Sequence, residues 1–255
     1  MTTGSVHWQP LRDELSQWSA LGRTARLWLR DDDTVAITPA LERLSALASA
    51  HGAPILIATI PARAEMRLGD YFAAHPLLEP AVHGYAHADH AQAGRKTQEF
   101  PIARGAEVII DELQRGRARL SEIFGARLTS IYVPPWNRIS REVAALLPGV
   151  GFTALSGFGT ATLMPSGSAL REINTHVDII DWRGNRGGRD HAWLVRELVD
   201  QLVAARDGGR AHVGVLTHHL VHDETAWCFL DALLDETAHH SAVQWTRASD
   251  LVSAA

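Results

Sequence analysis

Cysteine is almost absent from this sequence. Its single copy, Cys228, excludes an intrachain disulfide framework. No apolar run approaches the roughly 20 residues needed to span a bilayer, so no membrane span is expected. Residues 1–10 lack the basic segment and apolar run of a secretory leader. There is no basic stripe and no interleaving of aromatic with basic residues, and the net charge is −5, which argues against a nucleic-acid partner. No internal repeat and no linker breaks the chain. These absences lead to the expectation of one soluble, cytoplasmic domain over residues 1–255, without a membrane or nucleic-acid partner.

What is present is a globular composition with an excess of imidazole. Hydrophobic residues make up 46% of the 255, enough for one large core. There are 14 histidines against three tyrosines, so clusters of histidine are the first place to look for chemistry. Residues 1–22 carry Trp8, Leu11, Leu15, Trp18 and Leu21 at helical spacing, which predicts an amphipathic N-terminal extension. Its apolar stripe either covers the core or forms a homodimer surface. Beyond it, short apolar strands alternate with helices. Strands are expected over 25–29, 54–60, 77–82, 130–133, 152–155, 213–216 and 242–245, with 172–180 extended. Helices are expected over 39–50, 61–75, 105–124, 140–147, 191–206 and 225–238, the first capped by Thr38 with Pro39 behind it. The Gly-rich stretch 184–188 is expected to be mobile. This alternation predicts a parallel α/β fold. The polar candidates follow strand ends, the face that carries the active site when such a sheet closes into a barrel.

The chain is organised around Arg30-Asp31-Asp32-Asp33 at the end of the first strand. Three adjacent carboxylates repel one another, and burying one unpaired costs several kcal/mol. A bound cation, a shared proton or a nearby arginine relieves that cost. Two histidine-bearing stretches look like the rest of such a site: His83-Gly84-Tyr85-Ala86-His87 and Leu216-Thr217-His218-His219. On one helical turn, residues four apart share a face and can share a metal. Two imidazoles and a carboxylate leave positions open for water and substrate.

Taken in order, these stretches resemble the polysaccharide deacetylases of carbohydrate esterase family four, over nearly the whole chain. The resemblance implies a distorted (β/α) barrel of seven or eight parallel strands and removal of acetyl groups from N- or O-acetylated sugars with a divalent metal, zinc foremost or cobalt. It implies a general base and a metal ligand among the aspartates. With Thr34 at the family's small position, Asp32 is the base and Asp33 the ligand. Counted back from Thr38-Pro39, Asp31 is the base and Asp32 the ligand. The first register is preferred. His83 and His87 are the implied histidine ligands. Val133-Pro134-Pro135-Trp136-Asn137 matches the third motif, with the backbone N–H near Trp136 on the oxyanion, but Val133 stands where the family has an arginine that orients the base. Arg30 and Arg138 are the candidates to supply that charge. Asp178-Ile179-Ile180-Asp181-Trp182 matches the fourth motif, with Asp181 orienting the acid and Trp182 walling the acetyl pocket. Leu216-Thr217-His218 matches the fifth, with His218 as general acid. Substrate contacts are expected from Arg30, Pro135, Trp136, Asn137, Arg138, Trp182 and Leu216. Two alternatives stand beside this reading: a metal-dependent amidohydrolase of a small cytoplasmic amide or ester, and a non-catalytic carbohydrate-binding descendant, the latter motivated by Val133.

Overall fold

β1 (Ala25–Thr34) is buried along nearly its whole length, and its side chains alternate between two cores. Leu27 and Leu29 face the surrounding helices, while Trp28 points into a barrel interior with Leu56, Ala58, Ala81, Val133, Ala154 and Ile173. The computed structural model that shows this describes residues 8–162, 164, 168–210 and 212–253. Among these, β1 is followed by β2 (Ile55–Thr59), β3 (Leu78–His83), β4 (Ile131–Val133), β5 (Ala154–Leu155), β6 (Arg171–Glu172), β7 (Val177–Asp178), β8 (Val213–Thr217) and β9 (Val243–Trp245). All pair in parallel in the order β6-β5-β4-β3-β2-β1-β8-β7, with β9 beside the start of β1. The expected stretch 172–180 divides into the two strands at opposite ends of this path. β6 bonds β5, β7 bonds β8, and the residues between them carry the chain across the gap. His176 N donates to Gly214 O, and Thr175 N to Gly157 O. One continuous segment thus bridges the distorted barrel.

The helices are α1 (Gln9–Ala20), α2 (Pro39–His51), α3 (Leu68–Ala74), α4 (Ala106–Phe124), α5 (Arg141–Ala144), α6 (Leu147–Val150), α7 (His191–Gly208), α8 (Glu224–Thr237) and α9 (Ala248–Ser253). α2 starts as its cap dictates, Thr38 Oγ1 accepting from Leu41 N at 3.1 Å. Two expected helices are broken. Over 61–75 a 3-10 turn at Pro61–Arg63 precedes α3, because Glu65 N is drawn to Val35 O and leaves the helical path. Over 140–147 the chain makes two single turns, since Pro148 has no N–H to continue the first. α9 was not anticipated. Its Ala248 N is held by Glu79 Oε2 at 2.8 Å, and Ala248 and Leu251 pack with Trp28 in the barrel interior.

Of the extension expected over 1–22, residues 1–7 lie outside the described residues. α1 packs on α7 of the same chain, burying Leu11, Leu15 and Trp18, with Glu14 paired to Arg206 at 2.9 Å. Leu11, Leu15 and Trp18 of the apolar stripe are therefore taken up within the chain, while Leu21 at its end stays exposed. Among the described residues no helix is long and apolar enough to cross a membrane. Leu15→Ala should open a cavity under α1 and lower stability by about 2–5 kcal/mol, measured by urea denaturation.

Candidate active site

The aspartate triplet resolves into three destinations. Asp32 follows Trp28 and Arg30 on the inward face of β1, and Asp31 points outward. Asp31 is fully buried, accepting from Thr217 Oγ1 at 2.6 Å, His219 N at 2.8 Å and His219 Nδ1. It ties the turn after β8 to the outside of the barrel. The pairing of β1 with β2 shifts register between Asp31 and Thr34, and Asp33 has φ 78°. This bulge takes Asp33 out of the alternation and aims it along the barrel mouth.

Asp33 Oδ1 lies 3.2 Å from Nε2 of His83 and 3.2 Å from Nε2 of His87. The register that places Asp33 with the histidines is the one the structure brings together. The geometry of the pair differs from the helical turn expected for it. His83 ends β3, and His87 sits on a loop with φ 57°, its ring against Trp136 at 4.3 Å between centroids. The buried carboxylate of Glu99 holds that loop by accepting from Tyr85 N at 3.1 Å and Ala86 N at 2.7 Å. Glu99 fills the space beside Gly84, where a Cβ would lie 1.9 Å from Glu99 Oε2. Sequence reading missed Glu99, because its partners are backbone amides more than ten residues away. The one pointer was the glycine inside the histidine motif.

These three residues fit a cation. His83 Nδ1 donates to Val133 O at 3.0 Å, which leaves the Nε2 lone pair of the neutral ring facing Asp33. Asp33 Oδ1 is buried and has no hydrogen-bond donor, and one ligand atom from each residue falls within 4.8 Å of the others. A proton on His83 is the alternative occupant. Burial disfavours it, but Asp32 and Asp33 beside the ring outweigh that and raise the pKa of His83 above its ordinary value. Burial and neighbouring His83 push His87 the other way. Burial also opposes charge on Asp33, yet His83, His218 and His87 hold it well below the usual carboxylate range.

Arg30 stands directly behind Asp32 with no exposed surface. Its Nε and Nη2 donate to the two carboxylate oxygens of Asp32 at 2.9 and 3.1 Å. Nη1 reaches Ser156 O, Ser156 Oγ and Gly157 O, and Nη2 also reaches Asn137 Oδ1. Every N–H of the guanidinium is used, and Asp32 is held in one orientation. The positive charge missing at Val133 is thus present in space, delivered from β1, while Arg138 lies exposed with Nη1 on Thr97 O.

His218, after β8, places Nε2 3.9 Å from Asp32 Oδ2, with Trp182 edge-on to its ring at 4.7 Å between centroids. Asp181, expected to orient His218, is elsewhere. It accepts from Gly184 N at 3.1 Å and lies 3.6 Å from Arg189, anchoring a turn. The carboxylate that lines the cleft with His218 is Asp178, which accepts from Trp182 Nε1 at 2.9 Å and Ile180 N at 3.0 Å. Burial raises the pKa of Asp178, and the charge of His218 offsets part of the rise. Leu216 is buried in β8 opposite Arg30, and Pro135 packs against Gly84, so neither lines the cleft. Arg30 is likewise enclosed. Asp32, Asp33, His83, His87, Trp136, Asn137, Arg138, Trp182 and His218 surround one cleft of about 680 Å³ at the C-terminal ends of the strands, joined by Phe158, Asp178, Arg183, Arg186 and Val221.

No protein-family model matches the sequence, and no curated protein matches it. Solved structures do. A protein from Mycobacterium smegmatis assigned as a polysaccharide deacetylase superposes with a TM-score of 0.65 at 18% identity, covering 90% of each chain. The peptidoglycan deacetylase PdaC from Bacillus subtilis gives 0.51 at 14% identity, covering 91% of this chain and 92% of that one. A pseudoenzyme of carbohydrate esterase family four from Bacillus anthracis gives 0.55 at 13% identity, covering 90% of this chain and 66% of that one. The chain has the polysaccharide-deacetylase fold.

Two outcomes follow from this geometry. Arg30→Met leaves Asp32 buried without its partner and should lower stability by about 3–5 kcal/mol in chemical denaturation. Because a proton on His83 competes with a cation and the His83 pKa is raised, zinc affinity should fall as pH drops from 7.5 to 5.5. Calorimetry at the two pH values should also register protons released on binding.

Proposed function

We propose that the chain is a divergent, metal-dependent member of carbohydrate esterase family four that hydrolyses an acetyl group from an N- or O-acetylated carbohydrate. The observation that carries this reading is the convergence of Asp33, His83 and His87 with Arg30-held Asp32 and His218 around one cleft. Asp33, His83 and His87 would hold a divalent cation, and an Asp-His-His donor set suits zinc. Bound there, the cation would polarise the acetyl carbonyl and lower the pKa of water.

The residues of the chain divide the remaining work. Asp32 is the general base, both its oxygens fixed by Arg30 so that it can take the proton of the attacking water. His218, across from it, protonates the departing amine or alkoxide. Asp178 is the carboxylate we assign to His218 in place of Asp181, since it shares the cleft and its charge couples to that ring. The backbone N–H of Trp136 is assigned to the developing oxyanion, and the rings of Trp136 and Trp182 wall the space around the acetyl group. Arg30 also answers the motive for a non-catalytic descendant, because the orienting guanidinium is there by another route.

With zinc or cobalt added, the protein should release acetate from N-acetylglucosamine oligomers or an O-acetylated sugar. Asp32→Asn should retain zinc by elemental analysis and lose about 10²–10⁴-fold in kcat, whereas Asp33→Ala should lose the zinc itself. Full zinc occupancy in Asp33→Ala, or unchanged turnover in Asp32→Asn, would overturn the assignment.

A further inference from the structure

Three arginines line the cleft, and none of them meets a carboxylate among the described residues. The side chain of Arg138, from the loop after β4, donates to the carbonyl of Thr97 at 2.9 Å, and its charge reaches Asp89 without an ion-pair contact. Arg186 lies over the ring of Trp182 with its guanidinium carbon 5.8 Å from the centroid. Arg183 has no partner among the described residues. Elsewhere Arg12, Arg43 and Arg104 each sit on a glutamate.

The acids of the cleft are already committed. Asp32 is taken by Arg30, Asp178 by Trp182 Nε1 and Ile180 N, and Asp33 faces the two histidines. The loop that carries Arg183 and Arg186, over the stretch expected to be mobile, is tied down by hydrogen bonds. Asp181 N donates to Gly187 O at 2.8 Å and Arg186 N to Asp181 O at 2.9 Å. Asp223 Oδ1 accepts from Gly188 N at 2.9 Å. A Cβ on Gly184 would lie 2.1 Å from Asp181 Oδ2, and one on Gly187 2.2 Å from Asp223 Oδ2. Asp181 and Asp223 thus lock a turn whose exposed corners are the two arginines.

We infer that the substrate carries an anionic group, a phosphate or a carboxylate, near its acetylated carbon, and that Arg183 and Arg186, with Arg138, hold it. The inference rests on the acetylated-carbohydrate reading for the sugar, but the arginines act through binding. A planar guanidinium presents paired donors to either anion, and three guanidinium groups without a carboxylate in ion-pair contact on a concave wall raise the local concentration of an anionic ligand.

Calorimetric titration of the zinc-loaded full chain with three sugars tests it: N-acetylglucosamine, N-acetylglucosamine 6-phosphate and N-acetylmuramic acid. At least one acidic sugar should bind about tenfold or more tightly than the neutral one, and the advantage should shrink as salt screens it. Which acid wins identifies phosphate or carboxylate as the group. In Arg183→Gln/Arg186→Gln, checked for folding by circular dichroism, the advantage should fall to about threefold or less. Equal affinity for all three sugars, or an advantage that survives the double substitution and also Arg138→Gln, would overturn the inference. The two readings separate cleanly. A protein that prefers acidic sugars but releases no acetate defeats the hydrolase and leaves the anion site. One that deacetylates neutral and acidic sugars alike does the reverse.

Discussion

The pairing of Arg30 with Asp32 inside the mouth of the barrel is the interaction on which the rest depends. Both groups come from one strand, two residues apart, and both are almost wholly out of water. A pair so buried survives only when every donor and acceptor is met. The loop after β5 and Asn137 after β4 supply the remaining acceptors. The guanidinium therefore gathers three strand ends around itself. Asp32 is presented to the cleft from a base that cannot shift without unmaking those contacts.

The same strand explains why a run of three acids is tolerated. Alternation sends Asp31 outward to His219 and Thr217 and Asp32 inward to Arg30, and a bulge turns Asp33 toward His83 and His87. Each carboxylate has a separate partner, so the repulsion expected from adjacency in sequence is relieved in space. β1 thereby serves the outer shell, the interior and the mouth of the barrel within three residues.

Much of this was legible in the sequence because it rests on local pattern. The apolar strands, the caps of α2, and the aspartate and histidine motifs at strand ends are properties of a few neighbouring residues. What was not legible depends on distant groups meeting. Asp178 and Asp181 are equivalent in a motif, and only the turn anchored at Gly184 assigns one to the cleft and the other to the loop. Val133 looked like a lost charge, because nothing in its neighbourhood shows that Arg30 fills the same need from another strand. His83 and His87 have the spacing of a helical turn, yet a strand end and a left-handed loop residue achieve the convergence. The break in 61–75 likewise follows from Val35, a partner outside the segment.

The seat of Glu99 beside Gly84 has a consequence for how such a chain can drift. The carboxylate occupies the volume that any side chain at position 84 would need, with Pro135 closing the other flank. A Cβ at 84 would have to displace both that carboxylate and the Pro135 ring at a backbone φ of 62°, so the tether that Glu99 gives the amides of Tyr85 and Ala86 depends on a glycine at the centre of the histidine motif.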